Sequence, residues 1–232
     1  MKAVQMLMMG KKGEGYGRLY NWYAVSDAKF APSGWHVPTK AEIDTLIDYM
    51  IANEYNYDDT TEENRIAKAL ATDNGWAASA VTGAVGNTDY PAKRNVSGFS
   101  GMPAGIRTSV YFIYVKNYGW FWTATETGRN GAVGYHLDFV DIDLANDYYD
   151  YKTEGLSVRL IKDDSTDPST MTDYDNNTYD TVKIGTQVFT KQNWKCTKLN
   201  DGTSIPNVTV QATWAALKTL GRCAYDNDEN NV

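Results

Sequence analysis

An α+β domain, with a few helices around a small twisted sheet and long ordered loops, is what this sequence predicts, on three observations. Residues 39–51 carry a capped amphipathic helix. Residues 75–119 lose helical periodicity and turn rich in Gly, Ser and Asn while keeping large apolar anchors. Residues 119–163 alternate or run apolar between glycines, which is the pattern of strands.

Taken in order, Met1–Gly10 holds one Lys and a short apolar run, too short for a secretory core and without a small-residue cleavage site. It is expected to be a strand or a tag-like leader, so no signal peptide is visible. Residues 15–38 read as an aromatic segment and then a Pro/Gly-punctuated loop. Thr39 and Glu42 form a Thr-x-x-Glu capping box, in which each side chain satisfies an orphan amide of the first turn. Ile43, Leu46, Ile47, Met50 and Ile51 follow at helical spacing. A second helix is expected over Thr61–Thr72, with Ile66 and Leu70 inward. Trp76, Tyr90, Phe99, Met102 and Ile106 anchor the loops that follow, and strands are expected over 119–123, 135–139 and 156–161. The stretch DDSTDPSTMT at 163–172 is the one convincing linker. Beyond it, Tyr179–Phe189 reads as a hairpin around Gly185, and a last helix after Thr209 should bury Trp214 and Leu217.

The chain has 232 residues, enough to bury a real core. It is 13% aromatic, and 17 Tyr and 7 Trp against 6 Phe place the excess in rings with a polar handle, which suit wet binding faces as well as cores. A formal charge of −7 with no dense basic cluster argues against nucleic acid as partner. No apolar run is long enough for membrane insertion. Cys196 and Cys223 allow one disulfide or two buried thiols, and with only His36 and His136 no multi-histidine metal site can form. No cofactor is indicated. Asp and Asn oxygens suit Ca2+, but no motif marks a site for it.

Several long stretches resemble one family, the Fibrobacter succinogenes major paralogous domain of Bacteroidetes-type bacteria and their phages. They are YGRLYNWYAV (Tyr16–Val25), APSGWHVPTKAEIDTLIDYM (Ala31–Met50), SGFSGMPAGIRT (Ser97–Thr108), GWFWTATE (Gly119–Glu126) and GLSVRLIKD (Gly155–Asp163). Thr181–Val208 and the ending CAYDNDENNV at 223–232 resemble it too. In the family the segment resembling 181–232 comes first and runs into YGRLYNWYAV, so the halves here stand in permuted order. The resemblance implies a C-type-lectin-like fold, circularly permuted or completed by half-domain exchange with a neighbouring chain. Residues 1–14 would be an extension, 15–163 the second part of the domain, 164–171 a linker and 172–232 the first part. Closure within one chain is favoured, because the family's first and last strands are neighbours and adjacent strands lie roughly 5 Å apart.

The same fold family includes formylglycine-generating oxidases, whose chemistry would need a reactive cysteine pair that binds copper. Cys196 and Cys223 carry no flanking group that activates a thiolate. Asp138, Asp141 and Asp143 offer no pair of carboxylates whose environments would separate their pKa values. The Glu-Pro-Asn and Trp-Asn-Asp signatures of sugar-binding C-type lectins do not occur. A non-enzymatic domain is expected.

The most informative stretch is 125–152. Among its apolar residues stand Arg129, Asn130, Tyr135, His136, Asp138, Asp141, Asp143, Asn146, Asp147, Tyr148, Tyr149, Asp150 and Tyr151. Rigid amphipathic rings with adaptable polar groups are the mix of an antibody-like paratope. The stretch also resembles the variable region of C-type-lectin-like proteins diversified by retroelements. It is expected to bind a protein or glycan on a cell surface, with the protein on a virion or bacterial surface; a plain hydrophilic loop is the alternative. Trp35 and Trp120–Trp122 are expected to build core beneath it. A structural virion or fibre subunit, a homo-oligomer assembled head-to-tail by half-domain exchange, is the second reading.

Overall fold

The computed structural model describes residues 15–167 and 169–232, with residues 146–149 described along their backbone alone. The extension at 1–14 lies outside the described residues.

Leu19–Tyr20 (β1) leads into the one-turn helix Trp22–Val25 (α1), which Asn21 caps by accepting the Ala24 N–H. Trp35–His36 (β2) precedes Lys40–Ala52 (α2), where the expected capping box forms. Thr39 Oγ1 accepts the Glu42 N–H at 3.3 Å, and the Glu42 carboxylate accepts the Thr39 N–H at 2.8 Å. Ile43, Leu46, Ile47 and Met50 are buried, as their spacing requires. The second helix is a correction: it shrinks to Ala67–Leu70 (α3). The buried Asn56 side chain donates to the carbonyls of Thr60, Glu62 and Glu63 and accepts the Arg65 N–H, so residues 56–65 close as a loop instead of a helix turn. Ile66 and Leu70 still point inward. Tyr90 is also corrected, being exposed and packed edge-on against Tyr57 instead of anchoring the core.

Ala104–Arg107 (β3) and Phe112–Val115 (β4) form a hairpin, and Tyr118–Glu126 (β5), Gly131–Asp138 (β6) and Ala145–Tyr151 (β7) form a three-stranded antiparallel sheet. Of the expected strand 156–161, only its end belongs to a sheet strand, Ile161–Lys162 (β8), while Leu156 and Ser157 make single bridges to Tyr20 and Phe121. The expected linker contributes structure: Thr170–Thr172 (β9) is a strand, with Met171 buried. Thr178–Ile184 (β10) and Gln187–Thr190 (β11) are the hairpin read from the sequence, turning at Gly185 with φ +62°. A side chain there would meet the Tyr49 ring at 2.8 Å as well as strain the backbone. Gln211–Ala216 (α4) buries Trp214, but the helix ends before Leu217, which is half-buried, and Arg222–Cys223 (β12) is followed by 3-10 turns at Tyr225–Asn227 and Glu229–Asn231.

The order β2-β8-β11-β10-β9 in the largest sheet joins distant stretches: Ile161 lies between His36 and Phe189. β1 pairs with β12, Leu19 opposite Cys223. Residues before 163 and after 172 therefore share their cores. One core packs Tyr20, Trp122 and Leu156 with Tyr179, Trp194 and Ile205; another packs Met50, Phe121 and Tyr135 with Ile184 and Phe189. At the far end the Tyr16 N–H donates to the Asn231 carbonyl at 2.7 Å, so the start of the described chain rests against its last residues. The molecule is mixed α/β, mostly short strands with few helices.

Candidate functional site

The β5–β6–β7 sheet positions the predicted stretch, and strand register decides which side chains it shows. Tyr118 stands opposite Asp138, Trp120 opposite His136 and Phe121 opposite Tyr135. Because side chains alternate along a strand and paired residues share a face, Phe121, Tyr135 and Leu137 go to one side. That side is core, with the Phe121 and Tyr135 rings stacked at 5.1 Å. Tyr118, Trp120, His136 and Asp138 go to the other. On that second face Trp122 and Ala132 are covered by the core around Tyr20, so among the described residues it opens toward the Tyr118 end.

The open end carries an aromatic ladder. Tyr114 lies 4.9 Å from Tyr118, Tyr118 lies 5.4 Å from Trp120, and Trp120 stacks on His136 at 4.4 Å and 29°. Tyr114 is exposed, and Tyr118 and Trp120 are half-buried. Tyr114 holds φ +66°, a backbone region costly for a bulky side chain. Asp150 accepts the Trp120 Nε1–H at 3.0 Å and fixes the indole. Gly134 makes room for this contact, since a Cβ there would stand 2.2 Å from Asp150 Oδ2 and 2.8 Å from Trp120 Nε1. Burial, reinforced by the nearby Glu154 charge, pushes the Asp150 carboxyl up to about 8.

The thirteen predicted residues divide. Arg129 and Asn130 are exposed in the β5–β6 turn, Asp141 is exposed, Asp143 is half-buried and Tyr151 is 60% exposed at the end of β7. Tyr135 is a correction: it is wholly buried on the core face and out of a ligand's reach. His136, Asp138 and Asp150 are also buried and support the ladder from beneath instead of forming its surface. Asp138 accepts the Val140 N–H at 3.2 Å and faces the Tyr118 hydroxyl. The side chains of Asn146, Asp147, Tyr148 and Tyr149 lie outside the described residues; along the backbone Tyr148 stands opposite Gly134 and Tyr149 opposite Val133. Trp122 builds core as expected, and Trp35 and Trp120 pack half-buried against that core, Trp120 also belonging to the ladder. Tyr114 and Tyr118 were missed. The two-residue spacing of Tyr118 and Trp120 was a readable sign of a shared face, but the positive φ of Tyr114 has no local signal.

Acid chemistry is poorly served here. Asp150 has a raised pKa yet is sealed and committed to Trp120. Burial, then the Asp138 and Asp143 charges, raises Asp141. Cys196 and Cys223 are free buried thiols, each pushed up to about 11 by burial. Among the described residues no group of three or more His, Cys, Asp or Glu side chains is placed to hold a metal ion, and no helix is long and apolar enough to cross a membrane.

Fold and site together define a strand-rich mixed α/β domain that offers a partly open aromatic and acidic sheet face. The chain belongs to the Fibrobacter succinogenes major domain family, whose sequence model matches residues 2–162. That span contains the whole β5–β6–β7 sheet and ends in β8; the likeness read at 181–208 and 223–232 lies beyond it. Neither the curated proteins nor the solved structures contain a match.

Proposed function

We propose that this chain is a non-enzymatic binding domain that uses the open end of the β5–β6–β7 sheet to recognise a protein or glycan on a cell surface, from a virion or bacterial surface. The observation that carries the reading is the ladder Tyr114–Tyr118–Trp120, braced from below by His136 and Asp150, with the exposed Asp141 near the Tyr118 hydroxyl. Rigid rings with a buried hydrogen-bonded support lose little side-chain entropy on binding, which is what an interface anchor needs. The two thiols are buried and hard to ionise, which speaks against oxidase chemistry at Cys196 and Cys223.

The fold we read into this is C-type-lectin-like, with the halves in permuted order. The pairing of β1 with β12 and the bond from Tyr16 to Asn231 support it, because the end of one half abuts the start of the other. Cores shared within a single chain favour closure in cis over half-domain exchange. Binding of labelled protein to a panel of intact bacteria, scored by flow cytometry, tests the function. Replacing Tyr114 and Asp141 by Ala is expected to abolish any cell binding of the parent; equal binding by the double variant would remove the reading.

A further inference from the structure

We infer that the open face takes a cationic partner, a protein segment presenting an arginine side chain over Tyr114 and Tyr118 with its charge toward Asp141. This rests on the binding-domain reading and names the chemistry of its ligand. The geometry supplies two complementary halves. Tyr114 and Tyr118 present adjacent, partly exposed rings 4.9 Å apart, and ring faces attract a guanidinium within about 6 Å of their centroids. Beside them stand three carboxylates. Asp138 faces the Tyr118 hydroxyl, Asp141 lies close enough to act on the same hydroxyl, and Asp143 acts on Asp141.

Hydrogen bonds from the Val140 N–H and the Tyr118 hydroxyl serve Asp138, and no ion pair among the described residues answers Asp141 or Asp143. An anionic partner would meet both this cluster and a chain of formal charge −7. A partner anchored by an aliphatic side chain would leave the carboxylates desolvated and unpaired, which is costly. An arginine satisfies ring and carboxylate together, and its planar group fits both.

The molecule already uses this arrangement internally. Lys198 sits 5.2 Å above the Tyr174 ring while its Nζ pairs with Asp175 at 3.2 Å. At Tyr114 and Tyr118 the ring and carboxylate halves of the same motif face outward. Tyr114 holds a positive φ while its ring lies beside Tyr118 at the surface.

The test is fluorescence anisotropy of the full chain with a labelled peptide of alternating Arg and Gly, against the same peptide carrying citrulline, which keeps the shape and loses the charge. The arginine peptide is expected to bind and the citrulline peptide to bind at least ~10-fold more weakly. Tyr114→Ala and Asp141→Asn, both at exposed positions, should each weaken the arginine peptide by ~3-fold or more. Tyr174→Ala, at the internal motif, should leave binding unchanged, and unchanged thermal unfolding of the two site variants excludes misfolding. Equal binding of both peptides overturns the inference. So does an effect of Asp141→Asn without one of Tyr114→Ala, which is plain charge attraction, and so does self-association that Tyr114→Ala abolishes, which makes a second copy the occupant. If neither peptide binds while intact cells still do in a Tyr114-dependent way, the cationic partner is excluded and the binding face stands.

Discussion

Replacing Arg159 should show how strongly the two sequence parts depend on each other. The side chain is wholly buried. Its Nε donates to Asn193 Oδ1 at 2.7 Å, its terminal nitrogens to the carbonyls of Phe99 and Thr190 at 2.8 Å each, and to that of Ser100 at 2.7 Å. The guanidinium also lies 4.9 Å from the Phe99 ring. Asn193 and Thr190 come from beyond residue 172, while Phe99 and Ser100 come from before 163. Arg159→Met leaves four acceptors without these donors in a dry core. An unsatisfied buried group costs about 1–3 kcal/mol, and relief of the buried charge offsets part of the sum. The net loss should be about 3–5 kcal/mol, read as a shift of the urea midpoint at constant slope. A double-mutant cycle with Asn193→Ala should give a coupling of about 1–2 kcal/mol, as expected for residues in one hydrogen-bond network. A loss under about 1 kcal/mol, or a coupling of zero, would refute the claim that residues 159 and 193 belong to one cooperative core.

Three further outcomes are expected. Asp150 has a folded pKa of about 8 against roughly 4 unfolded, so the native state holds a proton that the unfolded chain releases. Its contribution to stability is therefore complete below roughly pH 4 and lost as pH rises toward 8; Asp150→Asn should raise the melting temperature relative to the parent at pH 9 and not at pH 4, and parallel curves would contradict the assignment. Gly134→Ala puts a Cβ 2.2 Å from Asp150 Oδ2, so it should cost about 1–3 kcal/mol and shift tryptophan emission as the Trp120 bond breaks; unchanged emission would mean that the ladder is not braced this way. Thr39→Ala removes the cap of α2 and should cost about 1 kcal/mol in chemical denaturation.

Where signals are local, the sequence was legible. The capping box of Thr39 and Glu42 marked the start of α2, and the burial of Ile43, Leu46 and Met50 follows from a 3.6-residue repeat that any opposing surface satisfies. Gly185 announced the β10–β11 hairpin because the turn needs a positive φ. Thr61–Thr72 misled for the same reason that α2 succeeded. Its helical spacing is real, but the Asn56 side chain binds the carbonyls that a helix would have used.

The sequence alone determined the mixed class and the family; it pointed to the stretch 125–152, whereas the exposed rings Tyr114 and Tyr118 lie before it. Only the tertiary structure decided which residues of that stretch meet solvent. Tyr135 and Tyr151 carry the same side chain on neighbouring strands, yet one is sealed against Phe121 and the other stands in water. Alternation along a strand divides residues into two sets, but what packs against each set comes from α2, β8 and the chain beyond residue 172. Burial depends on surfaces distant in sequence, and no local pattern records them.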